Sequence, residues 1–207
     1  MLYTPAHFAV ERRAIAAALV RANPFATLIT PGAEEPIVSH VPLLLSEEGD
    51  AWRLLGHLAR ANPQWEAWGE RRRVVAIFRG GDAYISPRLY SVKKAVPTWN
   101  YAVVHAHGTV EPAHDSATKE GVLKALIDRH DPAYRAQWDE LDLAYREGMK
   151  GGIVAFTVTV DRIDAKFKLG QNRPADDQAR VLQAMQSGND KERQLAGWTL
   201  QLSAEGK

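Results

Sequence analysis

Apolar residues recur at two spacings along this chain, and the spacings predict its elements. Ile15 and Leu19 stand four apart with Ala16, Ala17 and Ala18 between them, which predicts a helix over 11–22. Thr4-Pro5 reads as a helix start, and Asn23-Pro24 as the stop. FATLIT (Phe25 to Thr30) is β-rich and stops at Pro31-Gly32. Ile37 to Leu45 predicts a second strand, Glu47 to Asp50 a turn, and Trp52 to His57 a third strand, so 25–57 reads as an antiparallel meander. Asn62-Pro63 opens a short helix through Trp65 and Trp68. Arg73 to Arg79 predicts a strand, Gly80-Gly81-Asp82 a turn, and Ala83 to Ser86 another strand.

Asn100 to Val110 is a longer strand. Period 2 puts Val103, His105, His107 and Thr109 on one face and Val104, Ala106, Gly108 and Val110 on the other. Residues 115–130 predict a helix capped by Asp115 or Ser116, and 131–150 short helical turns. Ile153 to Val160 is the last strand, with Val154, Phe156, Val158 and Val160 facing the core. The tail from Pro174 reads as two helices divided at Asn189, the second striped by Leu195, Trp198 and Leu202. The sum is six or seven antiparallel strands with helices outside. That is an α+β fold, mostly β, and fits a small barrel with peripheral helices; the lack of long parallel crossovers argues against a Rossmann fold.

Composition narrows the class. With 207 residues, 45% of them hydrophobic and 25% charged, one globular domain with a helical segment at about 174–203 accounts for the chain. Lys plus Arg is 26 against 25 for Asp plus Glu, which argues against a globally electrostatic partner but leaves a local basic patch open. Arg71-Arg72-Arg73 is one short basic run, and a solvated turn explains it as well. There is no cysteine, so disulfides and thiolate chemistry are excluded. The start shows no charged leader with an apolar core, and no apolar run approaches the ~18–20 residues of a membrane span. A cytoplasmic protein without a membrane partner is the expectation.

The stretch VPTWNYAVVHAHG, Val96 to Gly108, exceeds structural need. Trp99, Asn100, Tyr101, His105 and His107 offer stacking and hydrogen-bonding groups where a core strand would carry aliphatics. Trp99 could cover a planar ligand, and Asn100 could bond an edge that alternates donors and acceptors. His105 and His107 share a face, a common metal-ligand spacing. A third ligand, His40 or His57, is only conceivable, no zinc-enzyme motif supports it, and no metal is assigned. In GHLARANPQW, His57, Arg60 and Asn62 stand where a strand runs into a helix. Free N–H groups and an arginine there can clamp a phosphate; otherwise Asn62 simply caps the helix and Arg60 is solvated. Ser86 in AYISP offers a hydroxyl, and Lys93 and Lys94 offer charge. In KFKLGQNRP, Lys166 and Lys168 point the same way if the strand continues, and Gln171 and Asn172 precede a helix. The chain has no GxSxG, GxxxxGK[ST] or GxGxxG, so hydrolase and nucleoside-triphosphatase readings have nothing to rest on.

These motifs, with YTPAHF (Tyr3 to Phe8) and SHVPLLL (Ser39 to Leu45), resemble in order and over nearly the whole chain the PaiB-type FMN-binding negative transcriptional regulators. The resemblance implies an antiparallel split β-barrel of the FMN-binding type, dimeric, with FMN as cofactor. It places the phosphate on Arg60 and Lys94, assisted by Ser86 and Asn62, near His57. It places the flavin ring against Trp99, Asn100, Lys166, Lys168, Gln171 and Asn172, where a cation beside the pyrimidine edge would favour the reduced anionic flavin. Gly170 stands where the family usually has serine, and Arg88-Leu89 where it usually has a small residue and tryptophan. DNA or a regulatory protein is the implied partner, although no helix-turn-helix signature or basic recognition helix is visible. The alternative is a flavin-dependent oxidoreductase of the pyridoxamine-phosphate-oxidase or flavin-reductase group. Tyr101, His105 and His107 would be its proton-transfer candidates.

Overall fold

The computed structural model describes residues 2–49, 51–69 and 72–205. Asp50, at the end of the expected 47–50 turn, and Arg71 of the basic run lie outside them. The chain forms two compact units. Unit 1 is Met1–Asn23, Phe78–His105 and Asp164–Lys207; unit 2 is Pro24–Ile77 and Ala106–Ile163. Seven strands form one antiparallel sheet: β1 (Phe25–Thr30), β2 (Ile37–Pro42), β3 (Leu44–Glu48), β4 (Ala51–Ala59), β5 (Arg73–Ile85), β6 (Thr98–Ala113) and β7 (Ile153–Lys168). Among the described residues six α-helices accompany it: α1 (Arg13–Ala22), α2 (Ser116–His130), α3 (Tyr134–Glu140), α4 (Leu143–Gly151), α5 (Ala175–Gln186) and α6 (Asp190–Glu205). This is the expected α+β class.

Unit 2 shows why the strands curl. The sheet order is β2-β1-β5-β6-β7-β4-β3, so β2 and β3 stand at opposite edges, yet only Leu43 separates them in sequence. The expected continuous strand 37–45 therefore breaks, and 25–57 is two hairpins, β1–β2 and β3–β4, rather than one meander. The break has a physical cause. Pro42 has no N–H to donate, and Leu43 donates to the Pro24 carbonyl at 2.9 Å while its side chain is buried. On β4 the alternate residues Leu54, Gly56 and Leu58 face the core, opposite Val158, Phe156 and Val154 of β7, and Trp52 is buried beside them. The expected helix after Asn62 is a 3-10 turn, Pro63–Gly69. From it Trp68 packs edge-on against Phe156 at 4.9 Å, and Gln64 Nε2 donates to the Leu28 carbonyl and to Thr30 Oγ1. Asp115 caps α2 by accepting the Thr118 N–H at 2.8 Å, and Val122 and Leu126 pack on Ala155.

In unit 1 the Gly80-Gly81-Asp82 turn is absent, and β5 runs straight through it. The glycines serve close approach instead. A Cβ on Gly81 would lie 2.1 Å from the Lys191 carbonyl of α6, and one on Gly80 within 3.4 Å of Leu19 and Trp198. The helix start expected at Thr4-Pro5 is only a 3-10 turn, Ala6–Phe8; Thr4 Oγ1 bonds back to the Leu2 carbonyl, and α1 begins at Arg13. β7 passes its expected end at Val160 and reaches Lys168. Trp198 and Leu195 of α6 are buried, with Trp198 edge-on to Phe167 at 5.6 Å.

Candidate functional site

Of the candidate phosphate residues, His57, Arg60 and Asn62 fall in unit 2, at and just after the end of β4, whereas Ser86 and Lys94 fall in unit 1. His57 pairs across the ladder with Ala155, so their side chains share a face, and Ala155 packs on α2. The imidazole therefore points to the α2 side. Its Nδ1 is buried with no hydrogen-bond partner, and burial lowers its pKa below the ordinary histidine value. Arg60 follows the strand. Its backbone N–H donates to the Gly152 carbonyl and its Nε to the Gly151 carbonyl, both at 2.8 Å. These are terminal carbonyls of α4, so Arg60 caps that helix's C-terminus and complements its dipole. Its Nη1 has no partner among the described residues. Asn62 Oδ1 accepts the Gln64 N–H at 2.9 Å, and its Nδ2 donates to Ser39 Oγ at 2.8 Å, so its amide is committed to the turn.

The candidate ring residues fall in unit 1. Asn100 is 2% exposed, and its Nδ2 has no hydrogen-bond partner among the described residues. A buried, unpaired amide costs about 1–3 kcal/mol, so its retention points to a ligand that accepts from it. Gly170 stands beside it: a Cβ there would lie 3.9 Å from that nitrogen. Gly170 has φ +87°, a conformation that glycine adopts freely and other residues rarely adopt. Lys166 and Lys168 alternate on β7 as expected. Lys166 Nζ donates to the Tyr3 carbonyl at 2.8 Å and lies 5.4 Å from the Tyr101 ring centre; Lys168 Nζ donates to Thr98 Oγ1. Trp99 is 54% exposed and edge-on to Tyr84 at 5.9 Å.

The other candidates are placed less tellingly. Gln171 closes its own turn, accepting from Leu169 N–H at 2.8 Å and donating to the Phe167 carbonyl. Ser86 Oγ caps the short 3-10 turn Pro87–Leu89 through the Arg88 N–H. Lys94 and Asn172 are exposed. His107 is buried with Arg162 Nη2 3.1 Å from its ring nitrogens, and Arg73 pairs with Asp161. Lys119 of α2 escaped the sequence reading: it looks like one more solvated helix lysine, yet it is buried and its Nζ donates to the Lys150 carbonyl at 2.9 Å.

Both groups fit FMN on their own terms. The unpaired Asn100 amide and two lysine amines suit the carbonyl-bearing edge of the flavin. The spare guanidinium donors of Arg60 and the unpaired His57 nitrogen suit a phosphate.

Residues 2–162 match the family model described as "Putative FMN-binding domain". The chain is 33% identical, over 94% of its length and 95% of the relative's, to the Bacillus subtilis protein named "Protease synthase and sporulation protein PAI 2". Among solved structures, the FAD and heme binding protein from Mycobacterium smegmatis superposes with a TM-score of 0.61 at 21% identity, covering 82% of this chain and 78% of that one. The flavocytochrome Anf3 from Azotobacter vinelandii gives a TM-score of 0.60 at 18% identity, covering 83% and 75%. At those identities the likeness is one of fold.

Proposed function

This chain belongs to the FMN-binding domain family, and from that premise we propose that it is an FMN-holding negative transcriptional regulator of the PaiB type. The unpaired Asn100 amide beside Gly170 carries the cofactor half of the proposal, and the whole-chain likeness to PAI 2 supports the regulatory half. When bound, FMN supplies reversible electron transfer. The chain's own residues then do three things. Asn100 orients the ring edge, Lys166 and Lys168 supply positive charge near it, and Arg60 with His57 receives the phosphate. Ser86, Lys94, Trp99, Gln171 and Asn172 remain candidate FMN contacts.

Regulation through a partner protein is favoured over direct DNA reading. α5 and α6 are joined by only Ser187-Gly188-Asn189, the connection of a helix-turn-helix. However, the first turn of α6 carries Asp190 and Glu192, which would meet backbone phosphates with like charge. A second copy of the chain is the other proposed partner. The outward face of β1 and β2 exposes Phe25 (67%) and Val38, an apolar surface suited to self-association. Among the described residues no helix is long and apolar enough to cross a membrane; the proposed place of action is the cytoplasm.

Adding excess NAD(P)H to the FMN-loaded protein tests the regulator against the oxidoreductase. Flavin absorbance that persists supports regulation. Bleaching on addition of nicotinamide would replace it with the enzyme.

A further inference from the structure

Lys119 of unit 2 is a buried charge with little compensation. It is 4% exposed, at the start of α2. An ammonium has three donors, and this one makes a single hydrogen bond, to the Lys150 carbonyl at 2.9 Å. Burial lowers its pKa, and the nearby Arg60 guanidinium lowers it further, while Asp115 and Glu147 act weakly the other way. Both cations hold the same short stretch: Lys119 takes the Lys150 carbonyl, and Arg60 takes Gly151 and Gly152.

A helix C-terminus explains part of this, but not all. The dipole presents roughly half a negative charge, whereas two full positive charges meet it. The nearest acids are already engaged. Glu147 binds Lys150 at 2.7 Å and Ser116 at 2.9 Å, and Glu120 binds Lys150 at 3.0 Å and Arg146 at 3.3 Å. Two donors of the ammonium and Nη1 of Arg60 therefore lack partners among the described residues, as does Nδ1 of His57. A buried ammonium with spare donors, beside an exposed guanidinium of like charge, gains from an anion that offsets its desolvation.

We propose that Lys119 and Arg60 together form a phosphate-binding pair, with Lys119 as a cofactor ligand from α2. The inference rests on the FMN reading, since the phosphate monoester of FMN is the anion it assigns. Free inorganic phosphate offers the same chemistry and serves as an independent probe.

Riboflavin, which lacks the phosphate, separates this pair from the ring contacts. Flavin fluorescence titrations of the full chain should show FMN binding more tightly than riboflavin. Lys119→Gln keeps a donor for the Lys150 carbonyl but removes the charge. It should weaken FMN by about tenfold, leave riboflavin within about twofold, and be rescued by Lys119→Arg. Equal affinity for FMN and riboflavin in the unaltered chain would overturn the pair, and so would unchanged FMN affinity in Lys119→Gln. If neither flavin binds, the cofactor reading falls alone; inorganic phosphate followed by amide chemical shifts around Arg60 then decides the pair. Shifts that Lys119→Gln abolishes keep an anion site, and no shifts in the unaltered chain remove it. Should Lys119→Gln not fold, Lys119→Met, which keeps the apolar stem, takes the same titrations: selective loss of FMN keeps the pair, and unchanged FMN affinity removes it.

Discussion

Unit 1 carries 14 lysines and arginines against 8 aspartates and glutamates; unit 2 carries 12 against 17. The near-neutral total averages two regions of opposite sign. Whole-chain balance therefore does not speak against an electrostatic partner for unit 1. The two regions also use polar side chains differently. In unit 2 the residues offered for phosphate also hold the fold: Arg60 caps α4 and Asn62 caps the turn after β4. In unit 1 the Nδ2 of Asn100 has no partner among the described residues. A binding residue that doubles as a structural one should betray itself in stability when mutated; a dedicated one should not.

The largest effect that sharpens this contrast is in the core of unit 2. Trp68→Ala removes a fully buried ring that packs on Phe156 and donates to Thr30 Oγ1. It should cost about 3–5 kcal/mol in denaturant unfolding, enough to lose the phosphate residues with the barrel wall. Acid comes next. Burial alone would raise the Glu120 carboxyl, but hydrogen bonds from Trp138, Lys150 and Lys124 outweigh it and bring its pKa from 4.5 to about 2. Because the folded value is the lower one, its stabilisation is complete above pH 4.5 and is lost as pH falls towards 2. Glu120→Gln should remove on the order of 2–3 kcal/mol at neutral pH and flatten that acid limb. Unfolding midpoints across the acid range check both, and an unchanged limb would sever Glu120 from the α2–α4 packing.

Arg60→Ala is smaller and tests the double role. It should lower stability by about 1 kcal/mol through the lost cap and also weaken FMN. A variant that loses cofactor with an unaltered unfolding curve would make Arg60 a pure ligand and break the comparison.

The fold was legible where one period governed one element. The alternation in β4, β6 and β7 and the stripe on α6 follow from side chains facing a single core. Three features were not legible, each because the deciding contact is remote in sequence. Gly80-Gly81 has the composition of a turn, but α6 presses a carbonyl against the strand there. Asp161 and Arg162 look like a strand end, yet Arg73 pairs with Asp161, Arg162 hydrogen-bonds His107, and β7 continues. Leu43 sits mid-run in an apolar stretch, and only the sheet order shows why the strand must break. The candidate site divides the same way. Asn100, Lys166 and Lys168 stand out by residue type within apolar strands. Lys119 does not, because a lysine in a helix carries no sign of its burial.

Asn100→Ala has the smallest expected effect on folding and the most direct bearing on function. Visible absorption titrations with FMN, run beside unfolding curves for the unaltered chain and the variant, test it. Saturable flavin uptake is expected of the unaltered chain. The variant should keep an unfolding free energy within about 1 kcal/mol, since no protein hydrogen bond is lost from the amide nitrogen, and should bind flavin with about tenfold lower affinity. No flavin uptake by the unaltered chain, or equal uptake by both, would contradict a cofactor held through Asn100.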